Sequence, residues 1–472
     1  MSQCLIMNLG NLQEKMNRYS KNRISENIVL YGLCFYAILI PFMQNPYDPV
    51  IGGVLSTGKI QLVDVILVAL SPFGIYLIYN NLKLLATKFK WITLSSVAYL
   101  LVILCSVRDY SQLSNYFELV SAASLIFLFF LILITVDDFS KIQAVMRSML
   151  LGGGLTVLAS LLGLILYYFF NFKWSYVIQE NHVFPYLGDV VRLTGPFKPT
   201  AKLLSSYLTL LVPLSIAYMF GLKERRLQYA ILSVIIASFC IFPFTLSRGI
   251  VGFAFAVCFL FYCMRHRKPS FAWVNKTIFL LPLFLFIITF VASTIYIDQF
   301  TLQYKTNNSD HLTHTVYYYY LPGLGQEEIN IKVAFARDHY YWLKKAAYEL
   351  FKSNLFGVGN GGFSSAVLQL ENFKIVPDGL SRHNTPQAQF FYDAAERGWL
   401  GIVALIALFS SWFIFLLRQK ANIIVLAAIG SLLSLCLIDS LYLEILRFRF
   451  LWYFAGFSLA YVSVLQSLET RG

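Results

Sequence analysis

The chain has 472 residues, of which 58% are hydrophobic and only 13% are charged, whereas about a quarter of the residues of a soluble domain are charged. This balance excludes a soluble domain with a single anchor, because apolar stretches near the roughly 20 residues that cross a hydrocarbon core recur along the whole length. The formal net charge of +13 does not indicate nucleic-acid binding, because the basic residues are scattered over the connectors between these stretches.

The beginning of the chain predicts a start-transfer span. A polar, basic segment precedes the apolar run from Asn27 to Met43, and no small-residue cleavage site follows that run. The seven cysteines fall mostly inside apolar stretches, so neither a disulfide framework nor a zinc site is indicated.

The apolar pattern predicts an all-α polytopic membrane protein of about twelve transmembrane helices. Nine helices with short loops occupy 1–297, a long and partly helical loop occupies 298–398, and three last helices occupy 399–472. Basic residues in the short connectors place both termini in the cytoplasm and the long loop outside. The predicted spans are 27–43, 60–79, 91–107, 115–136, 148–170, 201–220, 228–246, 249–264, 277–297, 399–417, 421–440 and 448–466.

The long loop predicts structure of its own, and a loop of that length inside a compact protein is usually functional. Val333 to Leu350 predicts a helix, Asn354 to Phe363 a Gly-rich turn, and Asn384 to Glu396 a second helix that runs into the membrane. The Gly-rich turn lacks the terminal Lys-Ser/Thr of a phosphate-binding loop and follows a helix, so nucleotide binding is not predicted.

Arg248 lies in a very short outer connector, Thr245 to Gly249, which places it at the bilayer surface between two apolar helices. A guanidinium there costs several kcal/mol unless it meets an anion. One interpretation is an arginine that snorkels to lipid phosphates. The other is a clamp on the phosphate of a lipid-linked substrate, which the two-pronged guanidinium suits better than an ammonium does.

Three other outer segments carry candidate site residues. Arg192 follows Asp189 and precedes a Gly-Pro turn, which leaves a loop ion pair as its alternative role. Arg337 opens the helical part of the long loop, where a solvated face is the alternative. His383 lies where the loop returns to the membrane, and a neutral imidazole there is suited to accept a proton near pH 7.

The neighbours of His383 favour the catalytic interpretation. Arg382 lowers the pKa of the imidazole by like charge, and Asn384 is placed to orient the ring. No Asp-x-Asp pair occurs in the chain, so no metal ion or other cofactor is predicted and arginines are expected to neutralise a diphosphate.

The ordered set of segments resembles the O-antigen ligase and O-antigen polymerase superfamily of bacterial membrane glycosyltransferases. After Phe197 the chain reads Lys-Pro-Thr-Ala where many relatives carry a Pro-Asn pair. The segments are Arg192-Leu-Thr-Gly-Pro-Phe leading into Leu210-Leu-Val-Pro-Leu, Thr245-Leu-Ser-Arg-Gly, Arg337 before Trp342, Leu355-Phe-Gly-Val-Gly, His383-Asn384, and Glu396-Arg-Gly-Trp-Leu-Gly401.

This resemblance implies an inner-membrane enzyme whose active site faces the periplasm. The implied donor is a glycan linked to undecaprenyl diphosphate, transferred with inversion and without metal or nucleotide. His383 is then the essential catalytic residue, Arg248, Arg337 and Arg192 hold the diphosphate, and Arg382, Asn384 and Glu396 support the site.

The acceptor stays open at this point. Ligation to lipid A-core is favoured by family analogy alone, and joining of repeat units by a polymerase is the alternative. The shared motifs also occur in protein glycan ligases. A transporter for lipid-linked sugars is the rival from another class, but its acidic candidates within the predicted spans, Asp64 and Asp439, both lie near span ends.

Overall fold

The computed structural model describes residues 24–42, 62–108, 113–184, 188–197, 201–245, 247, 249–265, 339–370, 386, 388–419 and 422–469. It is 84% helical. Eight of its helical segments are long and apolar enough to cross a membrane, and three shorter apolar helices accompany them in the same described part. The chain is therefore a multi-pass helical membrane protein.

The helices are numbered here in chain order. They are α1 (Ile24–Leu39), α2 (Leu62–Asn80), α3 (Leu82–Thr87), α4 (Lys90–Cys105), α5 (Leu113–Thr135), α6 (Phe139–Phe170), α7 (Ala201–Gly221), α8 (Arg225–Ile241), α9 (Ile250–Arg265), α10 (His339–Ser353), α11 (Phe363–Gln369), α12 (Gln389–Leu416), α13 (Ile423–Leu433) and α14 (Arg449–Glu469).

Most predicted spans coincide with helices of the structure. The exception is 277–297, which lies outside the described residues, so the count of twelve stays a prediction. Two boundaries differ clearly: α6 begins at Phe139, before the predicted start at 148, and α12 begins at Gln389, before the predicted start at 399. The predicted short helix before the membrane and the predicted span are thus parts of one helical segment.

The segment between α6 and α7 departs from the all-α expectation. It forms an antiparallel pair of strands, β1 (Ile178–Phe184) and β2 (Gly188–Leu193). β-branched residues such as Val191 favour an extended backbone, and Val191 and Leu193 are fully buried. The predicted connector between these two spans therefore contains a folded hairpin, whose β2 packs against α6 and the 3₁₀ turn that follows α8.

The core of the bundle surrounds α14, which is apolar on all sides and buried along most of its length. Its Trp452 packs edge-on against Trp412 of α12 at 5.4 Å between ring centroids, and both rings contact Phe129 of α5. At the start of α14, Arg449 pairs with Asp64 of α2 through two hydrogen bonds. One of the acidic residues weighed for transport is therefore held by a buried arginine.

Several helix ends meet at one end of the bundle, which we call the site end and define by the starts of α7, α9, α12 and α14. Ser205 of α7 hydrogen-bonds Ser247 at 2.9 Å, just before α9. At the start of α14, Phe450 packs against Phe197 and Tyr207. The opposite end, where α6 and α8 begin, is called the far end.

Candidate functional site

The Gly-rich turn after α10 docks onto α12 where that helix is broken. At Gly398 the backbone has φ 63° and ψ −149°, which interrupts the helical hydrogen bonds. The turn replaces those bonds, since backbone groups of both segments pair at 2.9 Å. The pairs are Val358 N–H to Ala395 O, Gly359 N–H to Glu396 O, and Trp399 N–H to Leu355 O.

Glycine is required on both sides of this joint. Gly357 has φ 78°, and a Cβ there would collide with the backbone of Glu396. Gly398 has a backbone conformation that is essentially restricted to glycine, and its added Cβ would collide with the carbonyl of Leu355. The sequences Leu355-Phe-Gly-Val-Gly and Glu396-Arg-Gly-Trp therefore form one structural unit.

Arg397, immediately before the break, is 2% exposed and fully surrounded by polar partners. Its guanidinium donates to the carboxylate of Asp393 one turn earlier and, at 2.8 Å, to the hydroxyl of Tyr99 on α4. It also donates to Asn360 of the Gly-rich turn at 3.2 Å and pairs with Glu118 of α5 at 3.2 Å. One side chain thus ties α4, α5, α12 and the Gly-rich turn together.

Glu118 extends this set of contacts to the start of α14. It accepts a hydrogen bond from the Tyr392 hydroxyl and pairs with Arg447 at 3.3 Å. Arg447 also pairs with Glu444 at 2.5 Å, and its guanidinium lies 5.0 Å from the ring centre of Tyr392. We call the set Tyr99, Glu118, Asn360, Gln389, Tyr392, Asp393, Arg397, Glu444 and Arg447 the Arg397 network.

Glu396, predicted to support the site, is fully buried. Its Oε2 accepts a hydrogen bond of 3.0 Å from the backbone N–H of Gly361. In this position it braces the Gly-rich turn against α12, beside the Arg397 network.

Arg192 lies on β2, where it stands opposite Glu180 of β1 in the strand register. β2 packs against the 3₁₀ turn Phe242–Thr245 at the end of α8. That turn directly precedes the connector of Arg248, so the strand of Arg192 and this connector belong to the same region of the site end. The side chain of Asp189 lies outside the described residues.

The other predicted site residues fall outside the described residues, and the structure places only their neighbours in the chain. This applies to Arg248, Arg337, Arg382, His383 and Asn384.

These neighbours meet around one segment, Asp439–Leu446, which we call the hub segment. Gln389, six residues after His383, donates its backbone N–H to Leu443 O at 3.0 Å and accepts from Leu446 N at 3.1 Å. Lys344, seven residues after Arg337, lies with its Nζ 4.4 Å from the ring centre of Tyr442.

The hub segment also contacts α9, which follows the Arg248 connector, and α7, which packs beside that connector. Asp439 accepts a hydrogen bond of 2.6 Å from Ser206 of α7, and a Cβ at Gly252 of α9 would lie 2.7 Å from its Oδ1. Ser247, the residue before Arg248, hydrogen-bonds Ser205, which precedes Ser206 in α7. Four helices that are far apart in sequence, α7, α9, α10 and α12, therefore contact these eight residues.

Sequence reasoning missed the Arg397 network and the hub segment. The spacing of Gln389, Asp393 and Arg397, four residues apart, places them on one helix face and is visible in the sequence. Their partners on α4 and α5 cannot be recognised in the sequence, because these residues are far from α12 along the chain. The hub segment had only Asp439 as a signal. Among the described residues, no three His, Cys, Asp or Glu side chains are grouped closely enough to hold a metal ion.

Comparison with known proteins gives no family. Neither the models of protein families nor the curated proteins contain a match to this sequence.

Proposed function

We propose that the protein is a metal-independent, inverting glycosyltransferase that moves a glycan from a polyprenyl-diphosphate carrier to an acceptor hydroxyl. One observation supports the proposal. Residues close in sequence to Arg248, Arg337 and His383 contact the hub segment, and the strand of Arg192 lies in the same region of the site end. Four segments singled out by their chemistry thus have anchors at one end of the bundle, where a lipid-linked substrate reaches the membrane surface.

In this proposal His383 takes the proton of the acceptor hydroxyl. The acceptor oxygen attacks the anomeric carbon from the face opposite the diphosphate, and the bond from that carbon to the diphosphate oxygen breaks. The electron pair leaves with the polyprenyl diphosphate, whose charge Arg248, Arg337 and Arg192 stabilise. Base assistance contributes about 10²–10⁴-fold in rate, and removal of one charge-stabilising donor costs about 3–4 kcal/mol.

The Arg397 network has a positioning role in this proposal. It fixes the first turns of α12, to which the His383 segment leads, through the contacts of Gln389 and Asp393. Catalytic side chains need placement within a fraction of an ångström, and a buried network that joins several helices supplies such rigidity. Arg382, Asn384 and Glu396 are proposed to support the same placement.

The cell location follows from the same proposal. A polyprenyl-diphosphate donor and the charge distribution of the connectors favour a bacterial inner membrane with both termini in the cytoplasm and the site end facing the periplasm. Lipid A-core is the proposed acceptor and a growing polysaccharide chain the alternative. Lipopolysaccharide ladders of a deletion strain separate them, because loss of a ligase removes all ligated glycan and loss of a polymerase leaves one repeat unit on the core.

The direct experiment is the variant His383→Ala, produced in a deletion strain and compared with His266→Ala, a histidine in a predicted cytoplasmic connector. We expect His383→Ala to lose the surface polysaccharide while its amount in the membrane equals that of the wild type. His266→Ala is expected to keep the polysaccharide. Normal glycan from the His383→Ala strain would refute the catalytic assignment.

A further inference from the structure

A cavity of about 450 Å³ opens between α6 and α8 at the far end of the bundle, away from the candidate site. Its lining residues are Arg147, Glu224, Arg226, Leu227 and Ala230. None of them belongs to the segments that the proposed reaction uses.

The two arginines lie at a similar height along the bundle, just before the predicted spans 148–170 and 228–246. α6 and α8 both begin at the far end and pack side by side, since a Cβ at Gly154 would lie 3.5 Å from Val234. Gly154 is seven residues beyond Arg147, and Val234 is eight residues beyond Arg226, so the Cα atoms of both arginines lie about 10–12 Å along the helix axes from this shared contact. From both arginines the helices continue into apolar sequence.

The lining of the cavity carries a net positive charge. Within the described part of the chain, no salt bridge joins Arg147 or Arg226 to an acid, and Glu224 supplies the one negative charge in the lining. Exposed guanidinium groups beside a membrane surface bind phosphate oxygens well, because their planar forks match phosphate geometry.

Apolar side chains continue from the cavity toward the middle of the membrane. Leu151 and Leu158, which follow Arg147 on the same face of α6, are 53% and 62% exposed. The cavity therefore has basic side chains at its opening and apolar side chains next to them along α6. An anionic phospholipid has the matching arrangement of a charged head group and acyl chains.

We propose that this cavity binds the head group of an anionic phospholipid, with Arg147 and Arg226 on the phosphate and the acyl chains along the exposed faces of α6 and α8. The site lies at the bundle end opposite the hub segment and is independent of the glycosyltransferase proposal. Glu224 weakens the binding by repulsion, and the two arginines, which outnumber it, give the site its preference for lipids that carry net negative charge.

The experiment is native mass spectrometry of the purified full-length protein, with phosphatidylglycerol or phosphatidylcholine of identical acyl chains added. We expect the wild type to retain phosphatidylglycerol in preference to phosphatidylcholine. Arg147→Gln and Arg226→Gln are each expected to reduce this retention about tenfold, the loss of one charge-assisted hydrogen bond. Glu224→Gln is expected to increase it, an effect that a merely structural role would not produce.

Arg225→Gln is the matched control, because it removes the same charge from the adjacent residue, which does not line the cavity. Equal losses from Arg225→Gln and Arg226→Gln would overturn the site in favour of general surface charge. The site would also be overturned if the wild-type protein shows no preference between the two lipids. This comparison does not depend on whether the variants fold. Displacement of the phosphatidylglycerol by millimolar inorganic phosphate would show that a free anion is the ligand.

Discussion

Arg397 is the residue at which folding and the proposed function meet most closely. A guanidinium at 2% exposure carries a large desolvation cost, which is offset only because Asp393, Tyr99, Asn360 and Glu118 all accept its hydrogen bonds or pair with it. The sequence predicts a supporting role for the adjacent Glu396 but none for Arg397, because the partners of Arg397 come from helices that are distant in sequence.

Removal of the Arg397 guanidinium should therefore destabilise the protein strongly. We expect Arg397→Met to lower the free energy of unfolding by about 3–5 kcal/mol, since Asp393 and Glu118 lose a buried partner. Arg418→Met, an exposed arginine on the 3₁₀ turn that follows α12, is the control and should change it by less than about 0.5 kcal/mol. Unfolding in detergent by added denaturant measures both, and equal effects would contradict the proposed network.

Variants of Arg248 test whether glycan transfer needs the two-pronged geometry of arginine or only its positive charge. Arg248→Lys keeps the charge but loses the two-pronged contact with phosphate, so we expect at most a small part of the glycan transfer to remain. Arg248→Ala should abolish transfer without affecting membrane insertion, because one short connector hardly influences topology. Surface polysaccharide and membrane levels of the protein measure this. Full activity of the lysine variant would favour snorkelling to lipid.

At the scale of elements, the sequence predicts most helices but not how they are joined. Apolar runs define the spans directly, because hydrocarbon excludes unsatisfied backbone. The break at Gly398 escapes such reasoning, since a glycine within an apolar helix is tolerated and carries no sign of a partner. The predicted Gly-rich turn and the predicted second helix were both found, but their mutual hydrogen bonds depend on a fold that sequence patterns do not specify.

The joint between the Gly-rich turn and α12 should tolerate no side chain at Gly398. The backbone conformation alone costs about 1–3 kcal/mol for a residue with Cβ, and the collision with Leu355 O adds to it. We expect Gly398→Ala to lower the unfolding temperature in detergent and to reduce glycan transfer. Gly221→Ala, whose Cβ would have nothing within 4 Å, should do neither. An unchanged melting temperature for Gly398→Ala would contradict the observed break.

At the scale of the whole molecule, the sequence predicts that the candidate residues share one side of the membrane, but it does not predict which helices meet near them. The positive-inside rule addresses sides of the membrane only. The hub segment was not anticipated, because its links to α7, α9, α10 and α12 are long-range contacts between helix ends. The small hairpin β1–β2 was missed for a related reason: its strands are short, and their burial depends on the turn at the end of α8.

The whole-molecule consequence of the proposed function is that transfer needs only the protein, the donor and the acceptor. A transporter requires two compartments, whereas a glycosyltransferase with all its groups at one end of the bundle works in a detergent micelle. We therefore expect the purified protein to transfer glycan from an undecaprenyl-diphosphate donor in detergent, and to do so in excess EDTA, because arginines supply the positive charge that a divalent cation would otherwise supply. Separation of the labelled glycan product on a gel measures both, with the His383→Ala protein as the inactive control. The arginine-based mechanism would be refuted if transfer stops in EDTA and returns with magnesium or manganese. The enzyme assignment would be refuted if the wild-type protein transfers nothing in detergent but moves the donor across vesicle membranes.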